Sequence, residues 1–166
     1  MNSTPSPSTD HSASDGSSAT SQVAVPLKYA YEIKHLSGCP EQPTYANVGI
    51  AYRFAQATVE HQDNFLPIAR LQPLRVAPGG KPVVDCCEAW SLSMFTTLSA
   101  LQAKAKKVCK TSPKFLKRVG EFYTQVKLTP QCGVHTQPNS SGHFEFFERA
   151  TFDGVKAVIH HEKLGI

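Results

Sequence analysis

Only one stretch of this chain, from Thr96 to Gly120, carries the pattern of a substantial helical segment, and alternating apolar segments lie on both sides of it. Leu98, Leu101, Ala105 and Val108 fall at i, i+3, i+7 and i+10, one face of a helix. Thr96 or Thr97 supplies an N-cap oxygen, and the cations near the far end complement the helix dipole. Ser112, Pro113 and Gly120 are the residue types that open and close a second, short helix. With so little helix available for crossovers, the strands must pair mostly antiparallel. The expected fold class is α+β: a mostly antiparallel sheet of about five to six strands, one main helix and one short helix.

Period-two alternation locates the strands. Leu27, Tyr29, Tyr31 and Ile33 alternate with Lys28, Ala30, Glu32 and Lys34, the clearest such pattern in the chain. Val48, Ile50, Tyr52 and Phe54 form a second, although Gly49 weakens it and a short helix from Ile50 to Val59 also accommodates these residues; Phe122, Thr124, Val126 and Leu128 form a third. Ser91–Phe95 is a short apolar strand that leads straight into the main helix. Pro67 and Pro73 limit residues 65–76 to an edge strand or packed loop. His143–Ala150 and Lys156–Lys163 read as a closing antiparallel hairpin about the Asp153-Gly154 turn, after a polar loop that extends to Gly142.

Residues 1–24 are of another kind. Eleven Ser or Thr fall between Met1 and Gln22, with no aromatic or branched aliphatic residue. Such a segment buries too little apolar area to offset its chain entropy, which predicts a disordered tail ahead of one domain at 25–166. The tail holds Asp10 and Asp15 and no Lys or Arg, so the chain's +4 becomes +6 in the remainder. The start of the chain has neither a basic, apolar secretory leader nor the arginines of a transit peptide, and no apolar run is long enough to cross a membrane. The five cysteines follow no disulfide spacing, and Cys86-Cys87 are adjacent, which suggests free thiols in a reducing, cytoplasmic setting.

Chemistry-bearing residues fall into a few groups. Lys104, Lys106, Lys107, Lys110, Lys114, Lys117 and Arg118 form a basic run with no acidic residue among them. Such a run contacts phosphates or an acidic partner, or simply forms a solvated helix face. Cys132-x-x-His135 has the spacing of half a zinc site, but the second chelating pair is missing, so no metal is expected. His143 and Glu145 share a strand face and can act together as an acid–base pair. Glu148 falls on the more apolar face, which makes it either a strand end in solvent or a paired, buried carboxylate. Cys86 and Cys87 lack a visible base to activate them as nucleophiles.

Two resemblances rest on these residues. The stretch Cys86-Cys87-Glu88-Ala89-Trp90-Ser91-Leu92-Ser93-Met94-Phe95 with the following helix, Gly120-Glu121-Phe122, and Gly142-His143-Phe144-Glu145-Phe146-Phe147-Glu148 resembles a group of small bacterial proteins that implies a shared domain but no activity. The order of Arg53, Ser91-Leu92-Ser93 before a helix, and Glu145 or Glu148 on a late strand is similar to the ADP-ribosyltransferase fold. That likeness implies NAD as the nucleotide and a catalytic set of Arg53, Ser91, Ser93, Glu145 and Glu148. The chain departs from the family in having Leu92 where a Thr is usual and His143-Phe144-Glu145 where two acidic or amide residues flank the middle one. Three functions are therefore expected in turn: a non-enzymatic module for a protein partner, with no cofactor; a nucleotide-using transferase; and a nucleic-acid-associated protein.

Overall fold

A computed structural model describes Met1 and residues 25–42, 44–46 and 49–166. The expected tail lies outside these residues, apart from Met1. The chain forms one six-stranded sheet: β1 (Gly49–Ala55), β2 (Leu92–Phe95), β3 (Phe122–Leu128), β4 (Gly133–His135), β5 (His143–Glu148) and β6 (Val158–Lys163). Their spatial order is β4-β5-β2-β1-β3-β6, and every pairing is antiparallel. Among the described residues the helices are α1 (Ala30–Ile33), α2 (Ile68–Leu71), α3 (Leu98–Thr111), α4 (Phe115–Val119) and α5 (Gly154–Ala157), of which only α3 exceeds two turns. Short 3-10 turns at Gln62–Phe65, Val83–Asp85 and Cys87–Trp90 fill the long passage from β1 to β2. The fold class is α+β, as the single helical segment dictates.

Both faces of the sheet are covered. Helix α3 starts where Thr97 Oγ1 accepts from the Ala100 N–H at 3.1 Å, and it seats Leu101 and Ala105 against Tyr52, Phe54, Phe95 and Tyr123. Burying Leu101 contributes about 2 kcal/mol. On the other face Ala51, Leu92, Met94, Val126, Phe144 and Phe146 pack with Phe65 and Phe152. A third apolar cluster, formed by Tyr29, Ile33, Ala69, Val83, Ala89 and Trp90, lies beside the sheet.

Several elements differ from the sequence reading. Residues 27–34 do not form a strand: Leu27 makes one bridge to Arg149 and the chain then turns into α1. Tyr29 and Ile33, four apart, are buried while Tyr31 between them is 76 % exposed, so the burial follows a helical and not a two-residue period. Residues 65–76 take the packed-loop alternative and not the edge strand, with α2 within them and one isolated bridge from Val76 to Pro82. Helix α4 starts at Phe115 instead of Pro113, and Ser112 accepts from the Arg118 side chain at 3.0 Å. The closing hairpin does not exist. β5 pairs with β2 and β4, whereas β6 follows α5 to the opposite edge and pairs with β3. Within the supposed polar loop, Gly133–His135 adds an edge strand, where a Cβ on Gly133 would lie 2.3 Å from the Phe147 carbonyl oxygen.

The cysteine reading is also corrected. Cys39 and Cys87 form a disulfide with their Cα atoms 5.5 Å apart. The loop after α1 folds back on the 3-10 turn before β2, and this tertiary approach over 48 residues has no signature in the spacing. Cys86, Cys109 and Cys132 are free thiols. A disulfide is at home in an oxidising setting, so the cysteines no longer argue for a reducing one.

Candidate functional site

The sheet splits between its two central strands. β1 and β3 stay in register over seven residue pairs, but β1 and β2 share only Tyr52↔Phe95 before they diverge. Arg53 reaches into this opening. Its Nη1 donates to the Ser93 carbonyl at 2.8 Å, its Nε to the Asn64 carbonyl at 2.6 Å and its Nη2 to the Leu66 carbonyl at 3.3 Å. Burial pulls the guanidinium down to about 10, against the opposing pull of the Glu148 and Glu145 carboxylates. The neighbouring loop is locked by buried Asn64, which accepts from the Gln56 N–H at 2.7 Å and donates to the Thr58 and Val59 carbonyls.

Over the split lies a cleft of about 650 Å³. Its floor is made by Arg53, Phe54, Ser91, Ser93, His143 and Glu145. One wall comes from the passage between β1 and β2, with Leu66, Ile68, Val83 and Ala89. The other comes from α3 and α4, with Lys104, Val108, Phe115 and Arg118. Apolar walls around a few convergent polar groups are what a small-molecule site requires.

Two cross-strand couples occupy the floor. Ser91 precedes β2, and its hydroxyl bonds to Glu145 Oε2 on β5 while also lying 2.8 Å from the Glu88 carbonyl. One hydroxyl has one proton and cannot donate to both. With Glu145 ionised, Ser91 donates to it. With Glu145 protonated, its O–H donates to Ser91, and the Ser91 proton turns to Glu88. The hydrogen bond therefore reverses direction when Glu145 takes up a proton and persists in both states. Burial pushes the Glu145 carboxyl above its usual range, and Glu88 adds to this, while the Ser91 bond and Arg53 oppose it.

The second couple is Ser93 and His143, with Oγ and Nε2 2.5 Å apart. The same Nε2 is 3.5 Å from Glu145 Oε1. In a nucleophilic triad the acid holds the other ring nitrogen, so this is a different arrangement. The ring packs edge-on to Phe95 at 5.1 Å between centroids. Burial lowers the His143 pKa and the Lys104 ammonium lowers it further, which favours the neutral imidazole. A neutral imidazole beside a hydroxyl is a proton acceptor in waiting.

The site residues expected from sequence divide clearly. Arg53, Ser91, Ser93 and Glu145 meet in the cleft, and so do His143 and Glu145 as the expected acid–base pair. Glu148 lies elsewhere. It is 2 % exposed, its Oε1 is 2.9 Å from Lys28 Nζ, and burial raises its pKa despite that partner. It anchors the entering chain, where the Lys28 N–H donates to the Glu148 carbonyl and Tyr29 is pushed up to about 12 by burial and the nearby carboxylate. All seven residues of the basic run are exposed, but only Lys104 and Arg118 line the cleft. Cys132 and His135 do not combine: the thiol lies 3.3 Å from Thr129 Oγ1, and His135 Nδ1 is 2.7 Å from the Thr136 carbonyl. Asn64, Phe54 and Phe115 were missed, since nothing in the sequence marks a side chain whose role is to shape a cleft.

No family model, no curated protein and no solved structure matches this chain. Among the described residues, no helix is long and apolar enough to cross a membrane.

Proposed function

We propose that the cleft is the active site of a group-transfer enzyme that uses a nucleotide, with NAD as the first substrate to test. One observation carries the reading: Arg53, Ser91, Ser93 and Glu145, separated by up to 92 positions in sequence, line one cleft with apolar walls. Their order along the chain is that of the ADP-ribosyltransferase likeness, and Glu145, not Glu148, fills the late-strand role.

The chemistry follows from the two couples. Breaking the bond between a ribose and a positively charged leaving base builds positive charge on the sugar, which a carboxylate beside it stabilises. Glu145 is that carboxylate, and Ser91 aims it. The Ser93–His143 couple accepts the proton of an attacking hydroxyl. Arg53 holds the split open and keeps two of its five N–H groups for a ligand, because three are committed to backbone carbonyls.

Incubation with NAD tests the reading by following nicotinamide release. Glu145→Gln is expected to lower the rate about 100-fold or more, the usual weight of a positioned acid–base group. Absence of release by the intact chain, or an undiminished rate in the variant, would overturn it.

A second reading has its own support. Lys106, Lys107, Lys110, Lys114 and Lys117 lie outside the cleft, are exposed, and make no ion pair with a described residue. They form a docking face for an acidic partner, protein or nucleic acid, whose binding weakens as salt rises. A partner held equally well at low and high salt would contradict it.

A further inference from the structure

Arg53 has only two N–H groups left for a ligand, so the floor by itself offers few donors to a nucleotide's diphosphate. Three of its N–H groups end on the carbonyls of Ser93, Asn64 and Leu66, and its guanidinium is the wedge in the split sheet. The α3–α4 wall offers other cations. Lys104 and Arg118 line the cleft there, beside Val108, Phe115 and Val119. Arg118 is braced, with Nη2 donating to Ser112 Oγ at 3.0 Å. Neither residue is in an ion pair with a described residue. The acids of the cleft, Asp63, Glu88 and Glu145, come from the passage between β1 and β2 and from β5. That passage also brings Arg75 to the lining, so it carries both signs, whereas the helical wall carries cations alone. Charges on low-dielectric walls focus their field into the space between them.

We infer that Lys104 and Arg118 form a phosphate subsite on the α3–α4 wall, which takes the diphosphate of a nucleotide while its sugar lies over Ser91 and Glu145. The subsite rests on the nucleotide reading above and deepens it by assigning the anionic end of the substrate. The field of Lys104 already reaches the floor, where it disfavours a charge on His143.

Calorimetric titration of the full chain with ADP, inorganic pyrophosphate and adenosine tests the subsite without any turnover. ADP is expected to bind at least about tenfold tighter than adenosine, and pyrophosphate to compete with it. Lys104→Met and Arg118→Met are each expected to weaken ADP about tenfold, and added salt to weaken wild type more than the double variant. Lys127→Met and Lys163→Met, exposed and outside both the cleft and the basic run, serve as controls and keep wild-type affinity. Equal affinity for ADP and adenosine, or ADP binding indifferent to both cleft substitutions, would overturn the subsite. If NAD is cleaved while those substitutions leave nucleotide affinity intact, the subsite fails and the transferase reading stands. If ADP binding depends on both cations but NAD is never cleaved, the subsite stands and the reaction assignment fails.

Discussion

Arg53 and Glu145 line the same cleft but serve opposite ends of the balance between stability and chemistry. The Arg53 fork satisfies the Ser93 carbonyl, where β2 diverges from β1, and two loop carbonyls, those of Asn64 and Leu66. Lysine keeps the charge but not the planar fork. Both Arg53→Lys and Arg53→Met are therefore expected to cost about 3 kcal/mol in urea unfolding, and a lysine variant as stable as wild type would contradict this role. Glu145 shows the reverse. Its folded pKa is raised by burial, so its contribution to stability is full below the ordinary carboxylate range and is lost as pH rises through the raised value. Glu145→Gln removes the charge at every pH. The variant is expected to unfold at higher urea than wild type at pH 7.5, with the gap closing toward pH 4, while nicotinamide release is lost. A variant that is less stable at pH 7.5 would contradict the assignment of Glu145 as a residue kept for chemistry at a cost to the fold.

Among the elements, the disulfide has the clearest mechanical consequence. Cys87 begins the 3-10 turn that ends one residue before Ser91, and its link to Cys39 ties the loop after α1 to that turn. Closing a loop of 48 residues restricts the unfolded chain by about 4 kcal/mol in the entropy model. The Cys39→Ser, Cys87→Ser variant is expected to lose about 2–4 kcal/mol in denaturant unfolding, and reductant is expected to destabilise wild type but not the variant. Equal stability of oxidised and reduced wild type would contradict the link. This bond also shows where sequence stops informing. Strands β1, β2, β3 and β5 and helix α3 were legible because their apolar periods are local properties of the chain. The pairing of Cys39 with Cys87, the brief strand β4 and the separation of β5 from β6 depend on partners distant in sequence, which no local pattern encodes. Residues 27–34 misled for another reason, since a four-residue burial period sampled at odd positions looks like alternation until the exposure of Tyr31 is known.

Over the whole molecule, the split sheet is what turns a set of residues into a cleft. Arg53, Ser91, Ser93, His143 and Glu145 were individually visible in the sequence, and their strand faces could be ordered. Their convergence depended on β2 standing between β1 and β5, a topology that a terminal hairpin of β5 and β6 would not have implied. The role of Asn64 in bracing the loop beside the split, and the division of the basic run into two residues at the cleft and five outside it, became visible only in three dimensions. The central claim is that this cleft receives a nucleotide. Titrating the isotopically labelled full chain with NAD and following backbone amide shifts tests it most directly. The account predicts shifts concentrated at Arg53, Ser91, Ser93, Lys104, His143 and Glu145, with the outer-edge residues His160 and Glu162 of β6 unmoved. Shifts centred on β6 or on Lys114 and Lys117, or no shifts at all, would contradict it.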